Sequence, residues 1–257
     1  MGAARYQRYV AIGDSTSEGM DDPDGRGGYR GWADRLAEKV NAAQGGGLLY
    51  ANLAIRGRTT RHIREEQLER AVAMRPDLAT LSAGMNDLLR ATFDAKPIRT
   101  DIETMLRALV GDGVPVMIFT LPDMSRVMPL ARLFSKRTLA LNDAIREACA
   151  NTGARVLDLA AYEVGTDPRV WSDDRLHANS LGHARIADAL AYTLGLPNSG
   201  TTWRDSLPGR PPHTFFTMTH AELAWARNHF LPWLWRHAQG KSSGDGRTAK
   251  RPELTPV

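Results

Sequence analysis

A few polar side chains, far apart in the chain, are of the types that acyl transfer needs. An apolar run at residues 8–12 leads into Gly13-Asp14-Ser15-Thr16-Ser17, a loop with three hydroxyls. Much later, WSDDRLHANSLGH sets Asp174 three positions before His177. At that spacing one turn lets a carboxylate hold an imidazole N–H, so that the other ring nitrogen can take a proton from a hydroxyl. A serine nucleophile needs such a base, and it needs donors for the charge that develops on a carbonyl oxygen. Asn86 in AGMND can supply a side-chain amide, and Gly57 in NLAIRGRT a backbone N–H with no Cβ in the way. The competing reading of the same loop is a cradle of hydroxyls and backbone N–H groups for a phosphate.

Other motifs are missing. The loop has neither the GxxxxGK[ST] of a Walker loop, nor GxGxxG, nor the second glycine of a GxSxG elbow. Asp14, Asp87, Asp174 and His177 could be imagined as scattered hard ligands, yet no HExxH, paired HxH or Asp-rich loop accompanies them, so no metal is expected. Asp14 and Asp87 suit turn bracing. Asp173 competes with Asp174 but reads as solvated, and His62 and His183 read as helix-face residues. Arg56, Arg58, Arg61 and Arg64 read as a solvated face rather than an anion site. The single cysteine, Cys149, lies in an apolar pattern and reads as a small core residue.

Short apolar runs must position these groups. RYVAIG, GLLYANLA, DLATLSAG, VPVMIFTLP and ARVLDLA read as strands, separated by helical patterns such as GYRGWADRLAEKV and RHIREEQLERAVAM, and SLGHARIADALAYTLG closes the series. Strands alternating with helices need crossover connections, which predicts a mostly parallel five-stranded sheet with helices on both faces. GDS, RGRT, AGMND and LPDMS each follow a strand, so they gather at the carboxyl edge, where such sheets hold ligands.

The chain has 257 residues and a net charge of +4, and 8 of its Lys and Arg against 4 of its Asp and Glu lie in residues 197–257. The basic excess thus belongs to the tail, and a nucleic-acid surface on the main domain is not indicated. Three parts are expected: a domain over 1–196, a Pro/Gly-rich linker with a Trp-rich helical extension over 197–240, and a flexible basic tail over 241–257. Packing on the domain is the expected role of the extension, with partner docking or membrane-surface contact as its rivals. The start of the chain has no apolar leader and no window of it would span a bilayer, which points to the cytoplasm. Oligomeric state is not legible.

Taken in order, Gly13-Asp14-Ser15, Gly57, Gly84-x-Asn86-Asp87 and Asp174-x-x-His177 resemble the four blocks of the SGNH (GDSL-type) hydrolases, over roughly residues 8–194. Thr16 stands where the family often has Leu, at a variable position. The resemblance implies a three-layer α/β/α sandwich with a flavodoxin-like sheet and hydrolysis of carboxylic esters without a cofactor. It implies Ser15 as nucleophile, His177 as base and Asp174 as its orienting partner. The implied oxyanion hole is the N–H groups of Ser15 and Gly57 with the Asn86 amide. Small-molecule or lipid-like esters are the implied substrates. A non-enzymatic flavodoxin-like phosphate binder is the alternative from another class.

Overall fold

The computed structural model describes residues 5–111, 113–209, 225, 227, 228 and 242–257. Strand β1 (Arg8–Ile12) is buried on both faces, as its apolar composition demands of a central parallel strand. Val10 and Ile12 enter one core, Tyr9 and Ala11 the other, following the two-residue period of a strand. Around it lie β2 (Leu49–Asn52), β3 (Leu78–Leu81), β4 (Val116–Phe119), β5 (Arg155–Leu157) and β6 (Arg251–Pro256), in the order β5-β4-β3-β1-β2-β6. The first five are parallel, in register from Arg8 opposite Leu49 and Tyr9 opposite Leu78.

The helices are α1 (Ser15–Glu18), α2 (Gly31–Ala43), α3 (Thr60–Ala73), α4 (Met85–Leu88), α5 (Ala95–Val110), α6 (Ser135–Thr152) and α7 (Ser180–Leu194). One face of α2 is buried: Trp32, Ala33, Leu36, Ala37 and Val40 pack with Ala187 and Leu190 of α7 beneath one sheet face. Trp32 meets Phe119 edge to face, with ring centroids 5.4 Å apart. Each such large side chain contributes about 1.5–3 kcal/mol by leaving water. Ile63 of α3, Ile102 and Met105 of α5 and Ile145 of α6 fill the opposite face. The architecture is the expected α/β/α sandwich.

The sheet differs from the expectation in its sixth strand. Residues 251–256, read as part of a flexible basic tail, pair antiparallel with β2, Tyr50 opposite Thr255 and Asn52 opposite Arg251, with a register shift between. Leu254 packs against the core, and the Arg251 guanidinium lies 5.1 Å from the Tyr50 ring centroid. Two prolines are tolerated because this is an edge strand. Residues 197–209 wrap on α7, where the Arg185 guanidinium donates to the carbonyls of Trp203 and Asp205 at 2.7 Å each. The Trp-rich helix expected further on lies outside the described residues, apart from Trp225, Arg227 and Asn228. Among the described residues no helix is long and apolar enough to cross a membrane.

Candidate active site

After β2 the chain crosses to the far side of β1 to form β3, so the β1–β3 boundary is the switch point where an open α/β sheet leaves a crevice. Ser15 follows β1 and Asn86 follows β3. Just before Ser15, Gln67 of α3 bonds both backbone groups of Gly13, at 2.8 and 2.9 Å. Asp14 then caps α1, accepting from the Thr16 N–H at 3.0 Å and the Ser82 hydroxyl at 3.1 Å. Burial raises its pKa and these bonds oppose the rise. Ser15 is therefore the first residue of a helix, where a backbone N–H has no intrahelical acceptor.

The three hydroxyls of the loop part ways. Ser15 Oγ lies 2.8 Å from His177 Nε2, whereas the buried Ser17 hydroxyl is held by Ser82 Oγ at 2.8 Å and Ile12 O at 3.3 Å. Thr16 lines an apolar cavity. They do not converge on one ligand, so the phosphate-cradle reading has no geometric support.

His177 Nδ1 lies 2.6 Å from Asp174 Oδ2. An ionised carboxylate only accepts, so Nδ1 carries the proton and Nε2 faces the serine with its lone pair. The other Asp174 oxygen accepts from Ser172 Oγ at 2.6 Å and from the N–H groups of Leu176 and His177 at 2.9 and 3.0 Å. Burial works to raise the Asp174 pKa, but its bonds and charge interaction with His177 hold it well below the usual carboxylate range. For His177 burial works downward and is outweighed by Asp174, Asp21 and Asp14, so its pKa is raised above 6.5. Trp225 donates its indole N–H to the Asp174 carbonyl at 2.9 Å and stacks on Arg175. Asp173 is exposed.

Asp21 escaped the sequence reading. Its carboxylate stands 3.8 Å from His177 Nδ1, and its backbone has φ 66°, a left-handed conformation that the acidic turn GMDDPDG does not announce. Asp21, Asp174 and His177 together could offer ligand atoms within 4.8 Å of one another. Using Nδ1 for a metal would remove the proton that bonds Asp174, whereas the 2.6 Å contact is that of a charge-assisted N–H···O bond.

The Asn86 amide donates to Arg58 O at 3.0 Å and more weakly to Asp14 Oδ2 at 3.4 Å. Gly57 has φ +74°, which favours glycine, and its N–H finds no acceptor among the described residues. Asp87 accepts from the Thr60 N–H and hydroxyl, both at 2.9 Å, which ties the loop after β2 to the turn after β3.

Two further expectations need correction. Arg56 and Arg58 do not belong to a solvated face: the Arg56 side chain and N–H are bonded to Glu18 at the end of α1, and Arg58 pairs with Glu66 at 2.7 Å. Only Arg61, whose side chain is 73% exposed, fits a solvated face. His183 is buried rather than on an outer helix face; its Nδ1 accepts from the Trp32 N–H at 3.1 Å and its Nε2 donates to Met20 O at 2.9 Å. His62 pairs with the Thr59 hydroxyl at 2.8 Å at the start of α3. Cys149 is buried, and burial pushes its thiol up to about 12, which makes it inert.

An apolar cavity of about 70 Å³ adjoins the loops that carry Ser15, Asn86 and His177. Thr16, Met85 and Leu176, neighbours in sequence of Ser15, Asn86 and His177, form part of its wall. Tyr162 and Trp203, whose rings meet edge to face at 4.7 Å, form another part.

The fold is shared with solved esterases. An esterase EstA from Pseudoalteromonas sp., in a structure inhibited by monoethylphosphonate, superposes with TM-score 0.58 at 16% identity over 74% of this chain and 97% of its own. The lipase/acylhydrolase from Enterococcus faecalis gives 0.59 at 23% identity, covering 76% and 99%. The lipase Lip_vut3 from a goat rumen metagenome gives 0.60 at 18% identity, covering 75% and 99%. Comparison with curated protein sequences finds no match. The model of the GDSL-like lipase/acylhydrolase family matches residues 11–185, which span the whole constellation from Ser15 to His177. On that match, over more than half of its length, the chain belongs to the GDSL-like lipase/acylhydrolase family and is an ester hydrolase of the SGNH type.

Proposed function

We propose that the chain cleaves carboxylic esters through an acyl-enzyme on Ser15. The observation that carries this reading is the unbroken relay from Asp174 to His177 to Ser15, at 2.6 and 2.8 Å. Ser15 Oγ attacks the ester carbonyl carbon while its proton passes to His177 Nε2. The carbonyl oxygen becomes an oxyanion held by the N–H groups of Ser15 and Gly57 and by the Asn86 amide hydrogen now only weakly bonded to Asp14. As the C–O bond to the alcohol breaks, His177 returns its proton to the leaving oxygen. Water then attacks the acyl-enzyme, with His177 again the base, and the acid leaves.

The apolar cavity supports a hydrocarbon acyl group rather than a charged one. Trp203 lines it, and its indole nitrogen has no hydrogen-bond partner among the described residues, so the ring contributes bulk. Trp203→Ala is expected to move the acyl-length optimum of a p-nitrophenyl ester series upward by at least two carbons. An unchanged optimum would place the acyl chain elsewhere.

The mechanism itself is tested by a fluorophosphonate probe and peptide mass mapping. Wild type is expected to be labelled on Ser15 alone, and Ser15→Ala to lose both labelling and ester turnover. Labelling on another residue, or turnover surviving in Ser15→Ala, would discard the acyl-enzyme on Ser15.

A further inference from the structure

The loop that carries Gly57 is gripped from a direction the triad does not explain. A peptide unit is planar, so the direction of the Gly57 N–H is fixed by the carbonyl at the other end of the same plane, that of Arg56. Gly244 packs directly on that carbonyl: a Cβ built on Gly244 would lie 2.1 Å from Arg56 O. One peptide further on, the Ser242 hydroxyl donates to Gly57 O at 3.3 Å. Ser242 and Ser243 also occupy the space a Gly57 side chain would need, with hydroxyl oxygens 2.3 and 2.8 Å from an ideal Cβ there.

The gripping segment is itself anchored. Residues 242–247 form a turn closed by Ser242 N–H to Asp245 Oδ2 at 2.8 Å and Arg247 N–H to Gly244 O at 3.1 Å. The Lys250 ammonium, which is largely buried, then donates to the carbonyls of Tyr29 and Arg30 at 3.0 and 2.7 Å and pairs with Asp34 at 2.9 Å. Strand β6 follows at once and pairs with β2, the strand that runs into the Gly57 loop. On the loop's other side, the Arg56 N–H bonds the Glu18 carboxylate at 2.8 Å, at the end of the helix that begins with Ser15. The Arg56–Gly57 peptide thus sits between the nucleophile's helix and the C-terminal segment, which lies outside the residues that match the family.

We propose that residues 242–250 are a strap that aims the Gly57 N–H, with Ser242 and Gly244 as positioning residues for the oxyanion hole. The proposal rests on the reading of Gly57 as an oxyanion donor. A donor rotated out of line loses its advantage in the transition state while leaving ground-state binding alone, so the strap acts on kcat rather than KM.

The test uses Gly244→Ala and Ser242→Ala in the full chain, followed by steady-state hydrolysis of p-nitrophenyl butyrate and by amide hydrogen exchange. Gly244→Ala is expected to lower kcat about 10-fold with KM within two-fold, because complete removal of one donor costs about 10²–10³-fold. Exchange should quicken in residues 53–58 and stay unchanged in 174–183. Ser242→Ala, which only removes one hydroxyl, should show the same pattern at about 3-fold in kcat. The strap is overturned if kcat per folded molecule stays at the wild-type value in both variants, whether or not thermal stability falls. It is equally overturned if exchange in residues 53–58 does not respond. Failure of the esterase reading would show separately, as a wild type without ester turnover, and the exchange response would still decide whether the strap holds the loop.

Discussion

His177 and His183 stand six residues apart at either side of the start of α7, and both use both ring nitrogens, yet their surroundings drive them in opposite directions. His177 faces carboxylates, which outweigh burial and raise its pKa above 6.5. His183 bonds only backbone groups, a Met20 carbonyl and a Trp32 N–H, and the nearby Asp22 charge is opposed by His177 and Arg35, so burial dominates and pushes its pKa down to about 4. One is placed to accept a proton and be stabilised as a cation. The other is a neutral clamp between α7 and the turn that follows Ser15. Burial alone distinguishes neither; the charge of the partner does.

The comparison breaks most sharply by removing each ring in turn. His177→Ala should lower kcat on a chromogenic ester by at least about 10⁴-fold, since triad members act as a unit. His183→Ala, compared at equal folded fraction, should stay within about 10-fold of wild type. Equal losses in the two variants would mean that the clamp takes part in the chemistry.

A smaller effect separates them in stability. A group whose folded pKa lies below its unfolded value stabilises the fold above the unfolded pKa and loses that contribution as pH falls. For His183 the window runs from 6.5 down to about 4, a loss of roughly 3 kcal/mol. For His177 the sign reverses: its contribution is complete below 6.5 and fades as pH rises through the raised folded value. Urea unfolding between pH 7 and 4 should therefore be steeper in wild type than in His183→Gln, whose amide can replace both bonds. Parallel curves would show that His183 is not the group responsible.

The smallest change concerns Asp21. Because His177 must be neutral to act as base, kcat/KM should fall on acidification through a midpoint above 6.5. Asp21→Asn removes a negative charge 3.8 Å from Nδ1, so it should move that midpoint downward while Asp174 still orients the ring. A midpoint that does not move would take Asp21 out of the electrostatics of the site.

The five parallel strands and the grouping of Ser15, Asp174 and His177 were legible in the sequence because each depends on local pattern. Apolar runs of strand length end in Gly13-Asp14-Ser15 and Ala83-Gly84-Met85-Asn86, and Asp174 meets His177 within one turn. His183 reads only as a helix-face residue, and its burial follows from a stripe that Ala187 and Leu190 continue at helical spacing, all three being buried. Asp21 was not legible, because its approach to His177 depends on a left-handed backbone that nothing nearby requires. Nor was β6: Arg-Pro-Glu-Leu-Thr-Pro has two prolines and no β-branched alternation, and only the free hydrogen-bonding row of β2 makes it a strand. Glu18 with Arg56, and Gly244 against Arg56, are contacts between distant segments that no spacing rule foretells.

Strand β6 also changes how the molecule meets copies of itself. An uncovered β2 would offer an open row of N–H and C=O groups to any extended chain, a template for intermolecular strand addition. With β6 in place, the outer border on that side carries Pro252 and Pro256, which lack donors, together with charged Arg251 and Glu253. At the opposite border β5 is only three residues long. Both margins of the sheet are therefore poor templates, and detaching the last seven residues would turn a self-limited sheet into one open to edge-to-edge aggregation.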